Sequence, residues 1–264
     1  MLKQILDKAK FCRAFEVSTY NQVTKGNIKI PVYLSAGQET ISATISTYYD
    51  SLNIKPMIFG QHRAHSIYLS FGGDPVELID EILGLETGCA NGMGGSASIH
   101  CPEINMFGHD GLMGSNVPIG VGACFASKKP TIVFVGDAAA EEDYALAAYG
   151  WAATKNLPIL FIIEDNNLSI LTEKKVRRSW EIHDVSRSMG IQSFNITDNP
   201  TDILLALDGY VFDSPRLLNI NTNRMFWHSG AGKDGDTIDL LEGEDITQQL
   251  NEFEKLWQLR LEKL

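Results

Sequence analysis

The chain has 264 residues, 44% of them apolar and 21% charged, which are ordinary globular proportions and argue against disorder. Its 22 Lys and Arg against 33 Asp and Glu give a net charge of −11, so a general nucleic-acid backbone binder is a poor reading. The longest apolar run, Leu157 to Ile163, is interrupted by Pro158 and is far shorter than a membrane span. Neither nucleic acid nor membrane is expected as a partner.

The four cysteines, Cys12, Cys89, Cys101 and Cys124, form no CxxC pair and no zinc-like spacing with histidine. They read as reduced thiols. The first residues lack the apolar core of a signal peptide and carry Asp7 and Glu16, which a transit peptide would avoid. A cytoplasmic protein is the expectation.

In chain order, Ile5, Ala9 and Cys12 share one face of an amphipathic first helix. Ser35 is a candidate N-cap for a helix through Tyr48, and Asp74-Pro75 starts another that runs to about Leu85. Residues 88–115 carry seven glycines and leave little room for regular structure; such a stretch suggests a ligand-binding surface. A helix is expected after Pro118, and the run Thr131 to Val135 is a strand ending at Gly136-Asp137. An Ala-rich helix over 141–156 leads to a strand from Ile159 to Glu164, followed by Asp165-Asn166-Asn167. Weaker strands are expected at 191–195 and 216–221, and a helix over 246–263. Apolar strands alternating with helices imply a mostly parallel, doubly wound α/β sheet, covered on both faces. No linker divides residues 1–264, so one domain is expected.

Ligands of open parallel sheets sit beyond the carboxyl ends of the strands. Asp137 ends one strand and Asn166 follows the next, so one strand-helix-strand unit puts a carboxylate and an amide on the same rim. With a backbone carbonyl, that is a hard-oxygen set suited to Mg²⁺ ligated largely by phosphate and water. Taken alone, the same residues would equally serve as a helix cap and a turn.

Gly136-Asp137-Ala138 followed by Asp165-Asn166-Asn167 resembles the thiamine diphosphate signature. Around it stand, in order, Gly37-Gln38-Glu39, His62-Arg63-Ala64-His65, Gly94-Gly95-Ser96, Gly111 through Pro118, Thr222-Asn223-Arg224 and His228-Ser229. This ordered set, spanning roughly residues 5–260, is similar to the alpha chain of the two-chain thiamine diphosphate-dependent 2-oxo acid dehydrogenases of pyruvate, branched-chain and acetoin type.

The resemblance implies a thiamine diphosphate-binding fold, with Asp137, Asn166 and the main-chain oxygen of Leu168 as Mg²⁺ ligands. Ala138 and Ala139 are then cofactor-binding positions, Arg63 reaches the diphosphate, and His62 stands where the family usually has Tyr. Gly111 and Met113 meet the aminopyrimidine through their main chains, and the Met113 side chain props the cofactor in a bent shape. His65 and His228 are the catalytic histidines, facing the thiazolium and the substrate carboxylate. The reaction implied is decarboxylation of a 2-oxo acid, with the acyl group passed to an acceptor such as a lipoyl domain. A glutamate from a separate beta chain completes the site, in an α₂β₂ heterotetramer, and a lipoyl-bearing acyltransferase is a further partner that the resemblance implies.

Several positions depart from that pattern. Ala138 replaces a glycine, and Glu141 replaces a small or amide residue. Leu168-Ser169 stands for an aromatic-glycine pair, and Phe226-Trp227 make the pocket before His228 more apolar or narrower. Ser229 matches a serine phosphorylated in some relatives, but its surroundings are altered. These changes keep two other readings open: a two-chain transketolase-like or acyloin-forming enzyme, and a non-catalytic subunit that keeps the fold. Lys174-Lys175 and Arg177-Arg178 read as a solvated basic face, or otherwise as a flexible lid or partner contact. Met93, Ile99, Ile104, Met106, Phe107 and Met113 are expected to form an apolar patch covered by a partner.

Overall fold

The computed structural model describes residues 1–230, 232–234 and 238–263. Helix α1 (Leu2–Thr24) and helix α2 (Glu39–Ser51) precede strand β1 (Met57–Phe59), helix α3 (His65–Ser70) and helix α4 (Pro75–Leu83). Strand β2 (Met106–Phe107) lies within the glycine-rich stretch and is followed by α5 (Asn116–Ser127), β3 (Thr131–Gly136), α6 (Asp143–Thr154) and β4 (Ile159–Asp165). A small hairpin, β5 (Leu168–Ser169) and β6 (Thr172–Glu173), leads to α7 (Lys174–Arg177) and α8 (Ile182–Ser188). The chain continues through β7 (Gln192–Thr197), α9 (Pro200–Leu207), β8 (Arg216–Asn221) and α10 (Thr247–Leu261).

Six strands form one sheet in the order β2-β1-β3-β4-β8-β7, every neighbouring pair parallel. The expected doubly wound α/β sheet is thus observed. Alternation along each strand feeds two cores. Ile132 and Phe134 of β3, with Leu160 and Ile162 of β4, pack with residues of α1, α2, α3, α4, α9 and α10. Val133, Val135, Phe161 and Ile163 point the other way, into a second core with α5, α6 and α8. No helix among the described residues is long and apolar enough to cross a membrane.

Local chemistry explains where elements begin. Asp74 caps α4 by accepting from Val76 N at 2.7 Å, Pro75 takes the first helical position, and Gly84 ends the helix in a left-handed conformation. Helix α5 starts at Asn116, two residues before the proline expected to precede it. Pro118 fits in the first turn because its missing N–H has no intrahelical acceptor there. Ser35 does not cap α2, which begins four residues later at Glu39. The Ser35 hydroxyl donates to Glu16 Oε1 at 2.6 Å and accepts from Ser66 N at 3.1 Å, so it ties α1 to α3.

The expected apolar patch is largely core. Ile99 and Met106 are fully buried because β2 pairs in register with Ile58 and Phe59, and Phe107 stacks on Phe59 at 5.1 Å. Met93, Leu112 and Met113 do remain exposed.

Candidate active site

The register Gly136↔Glu164 sets Asp137 level with Asp165 and leaves Asn166 one step further along the rim. A cavity of about 340 Å³ opens there. Its walls include His62, Arg63, Met113, Asp137, Ala138, Ala139, Asn166, Leu168 and His228, all read from the sequence as site residues. The structure therefore brings together side chains that are up to 166 positions apart, from His62 to His228.

Asp137 is almost wholly buried. Burial, and then the neighbouring Asp165 carboxylate, push its pKa up to about 6, against the pull of Arg177 and Arg178. Asn166 donates from Nδ2 to Gln38 Oε1 at 3.2 Å, while its Oδ1 accepts from Leu168 N at 3.1 Å. The chain turns sharply after it, with Asn167 and Ile170 at positive φ.

Arg63 lies on the loop after β1 and is 3% exposed. It donates to two main-chain oxygens, Leu34 O at 2.6 Å and His228 O at 3.1 Å, and it makes no ion pair among the described residues. Burial and the nearby Arg224 lower its pKa to about 10. A buried guanidinium held by carbonyls alone is short of negative charge, and a diphosphate supplies it. Arg224 also faces the cavity, bonded to Asp234 and to Ile170 O at 3.0 Å. Gly37, at φ +99°, lets the Gly37-Gln38-Glu39 turn lie against this loop: a Cβ there would sit 2.3 Å from Asn223 O.

His62 and His228 stand with ring centroids 5.4 Å apart, and Tyr33 packs edge-on against both. Desolvation, then Arg63, lowers His228 to about 4 and His62 to about 2, so both rings are neutral near pH 7. The His62 Nε2 is buried without a hydrogen-bond partner. That orphaned atom, the unpaired guanidinium and the carboxylate-amide-carbonyl oxygen set all fit a cofactor diphosphate with a hard divalent cation.

Two expected residues lie elsewhere. Gly111, at φ +99°, is exposed on its loop and lies outside the cavity lining. In place of the ligand-facing role expected of it, His65 is fully buried in the helical layer. Its Nδ1 meets Glu16 Oε2 at 3.2 Å and its Nε2 meets Ser96 Oγ at 2.8 Å, so both nitrogens are already engaged within the protein. The basic cluster also differs from its reading as a solvated face. Arg177 pairs with Asp137 and with Glu141 Oε1 (2.7 Å), Arg178 with Glu141 Oε2 (3.1 Å), and Lys174 with Asp165 (2.6 Å). Only Lys175, paired with Glu173 at 2.5 Å, lies on the surface.

Sequence reading missed Glu164 and Gln61. Glu164 is 1% exposed at the end of β4 and hydrogen-bonded by the Gln61 side chain, which lines the cavity. Burial pushes this carboxyl up to about 7, with Gln61, Arg63 and Gln38 opposing. The signal was an acidic residue, followed directly by Asp165, at the end of an otherwise apolar strand.

Comparison with known proteins bears out the resemblance carried by the motifs. The family model described as "Dehydrogenase E1 component" matches residues 7–207. The chain is 31% identical over 206 residues to the alpha subunit of acetoin:2,6-dichlorophenolindophenol oxidoreductase from Cupriavidus necator, covering 76% of this chain and 61% of that protein. It is 29% identical over 233 residues to the pyruvate dehydrogenase E1 component subunit alpha of Rickettsia bellii, covering 82% and 69%. Its fold resembles transketolase from Campylobacter jejuni, with a TM-score of 0.65 at 17% identity, covering 98% of this chain and 48% of that one.

Proposed function

Because the chain belongs to the dehydrogenase E1 component family, we propose that it is the alpha subunit of a thiamine diphosphate-dependent 2-oxo acid dehydrogenase. In this reading it decarboxylates a 2-oxo acid together with a separate beta subunit and passes the acyl group to an acceptor such as a lipoyl domain. The observation that carries the proposal is the buried Arg63, with no carboxylate partner among the described residues, facing Asp137 and Asn166 across one cavity. Residues 1–264 act as one cofactor-binding domain, and the beta subunit completes an α₂β₂ assembly. The four unpaired cysteines favour a reducing compartment such as the cytoplasm.

Asp137, Asn166 and the Leu168 carbonyl would hold Mg²⁺, while Arg63 would hold the diphosphate, with Arg224 adding positive charge. Met113, half in the cavity wall, is an apolar side chain suited to setting the cofactor's shape. When bound, the cofactor supplies a sink for the electron pair left as carbon dioxide departs. His228, held neutral, offers one N–H and one lone pair on the side where the substrate carbonyl would lie.

Calorimetric titration with thiamine diphosphate and Mg²⁺ tests the binding half of this proposal. Binding to the wild type, and its loss in Asp137→Ala with an unchanged far-UV spectrum, is the expected result. Addition of the beta subunit should then give 2-oxo acid decarboxylation. Carbon transfer to an aldehyde without decarboxylation of 2-oxo acids would favour the transketolase-like reading. Absence of any cofactor binding, with or without the beta subunit, would sink both.

A further inference from the structure

We propose that a buried chain of hydrogen bonds, Glu16–His65–Ser96, positions Tyr33 and, through the Tyr33 ring, the paired histidines His62 and His228. The inference deepens the function proposed above and rests on that reading only where it concerns turnover. Glu16 on α1, His65 at the start of α3 and Ser96 beside the glycine-rich loop are each at most 1% exposed. A carboxylate and an imidazole are costly to bury unless their polar atoms find partners. Here they do. Glu16 accepts from Ser35 Oγ at 2.6 Å through one oxygen and meets His65 Nδ1 at 3.2 Å through the other. His65 Nε2 in turn meets Ser96 Oγ at 2.8 Å. The chain ends on backbone, where Tyr33 N donates to Ser96 Oγ at 2.9 Å. A peptide N–H only donates, so this last link has one direction whichever tautomer His65 adopts.

Tyr33 belongs to a short segment, residues 32–35, that touches the site at every position. Val32 O accepts from Gly230 N at 3.0 Å, two residues past His228, and Leu34 O accepts from Arg63 at 2.6 Å. Ser35 is tied to Glu16. Between these anchors the Tyr33 ring packs edge-on against His62 at 5.2 Å and His228 at 5.6 Å. Both histidines line the cavity, whereas Tyr33 lines a neighbouring groove together with Ser96, so its ring backs the pair. His62 Nε2 has no hydrogen-bond partner, and packing against Tyr33 therefore carries much of that ring's placement. Ser96 is fixed from its other side, because Gly94 N and Gly95 N donate to buried Glu81 at 2.6 and 3.0 Å. His65, expected from the sequence to be catalytic, thus acts one step back from the cavity, as a positioning residue.

Nuclear magnetic resonance of the full chain, isotope-labelled at its histidine rings, reads this placement without cofactor or beta subunit. Each ring signal is assigned from its own histidine-to-glutamine variant. Ser96→Ala removes the last link and is expected to shift the signals of His62 and His228. The signal of His183, on α8 across the sheet, should stay in place. Should Ser96→Ala fail to fold by circular dichroism, His65→Asn is read in its stead. It keeps a polar group near the Nδ1 place for Glu16 and loses the reach to Ser96, so the same two signals should shift. Unmoved His62 and His228 signals in the folded variant, or a shift of all three, overturns the proposal. In the enzyme assembled with its beta subunit, Ser96→Ala should lower kcat about tenfold while thiamine diphosphate affinity changes by less than about twofold. An unchanged kcat there also overturns it. Absence of decarboxylation by the wild-type assembly overturns the functional reading instead, and the ring signals still judge the placement of the histidines.

Discussion

Glu81 is fully buried on α4 and accepts main-chain N–H bonds from Ala90, Gly92, Gly94 and Gly95, at 2.7, 2.9, 2.6 and 3.0 Å. One carboxylate thus gathers the loop of residues 88–95, where side-chain packing is scarce. Glu81→Gln keeps one acceptor oxygen of two, leaving amides unpaired at about 1–3 kcal/mol each. The expected outcome is a loss of stability of about 2–4 kcal/mol in urea unfolding, with faster amide exchange over 88–95. Unaltered exchange there would mean that the loop is held by something else. His62 makes a different prediction. Its folded pKa lies below the unfolded value near 6.5, so the unfolded chain takes up a proton first as pH falls. The stability carried by the neutral ring is complete above pH 6.5 and drains away below it. Between pH 7.5 and 5.5 the wild type should lose on the order of 1 kcal/mol more than His62→Phe. Equal losses would show that the ring is protonated as easily in the folded chain. At this scale, Asp137, Asn166 and Arg63 stood out in the sequence because each sits in a motif, and the fold brings the three to one cavity. Arg177 and Arg178 were misread, because their acidic partners Asp137 and Glu141 lie 36 to 41 residues away and only the fold brings them together. His65 was misplaced for the same reason: Glu16 and Ser96, which occupy its ring, come from distant segments.

Among the elements, α5 presents a controlled comparison in its two inner glycines. A Cβ on Gly120 would lie 2.7 Å from Val133 Cγ2 and 3.2 Å from the Phe59 ring, whereas one on Gly122 would meet nothing within 4 Å. Gly120 thus sets how closely α5 approaches β3 and β1, and Gly122 only weakens the helix. Gly120→Ala is expected to cost about 1–3 kcal/mol by overpacking. Gly122→Ala should stabilise by up to about 1 kcal/mol through helix propensity. Thermal melts of both variants check the pair, and a shared sign would contradict the packing argument. Elements with a clear local signal were legible: α4, β3, β4 and α10 fall within a few residues of their expected spans, and α1 is a helix as its apolar face implied. Strands β1 and β2, of three and two residues, are too short to carry a period. They exist because Met106 and Phe107 find register partners in Ile58 and Phe59, information absent from either segment alone.

On the molecular surface, α5 carries no charged residue and α6 only Asp143. Ile119, Phe125 and Trp151 are exposed there, with Phe125 edge-on to Trp151 at 4.7 Å. Leu112 and Met113 continue the apolar surface to the cavity mouth. Under the two-subunit proposal this surface belongs in an assembly. The chain alone should self-associate at micromolar concentration in sedimentation, and Phe125→Glu should reduce it. A chain that stays monomeric and fully active by itself would remove the need for a beta subunit. The order of the strands has a further consequence, for synthesis. Strand β7 touches the sheet only through β8, and β4 gains its second neighbour only from β8. A nascent chain that has emerged only to residue 215 therefore holds β1 to β4 with the β4 edge still waiting for its neighbour, and β7 with no neighbour in the sheet. The last sheet strand to leave the ribosome is the one that joins the two parts. Closure waits for residues 216–221, and the waiting β4 edge is the place where a chaperone or an unwanted neighbouring chain would first take hold.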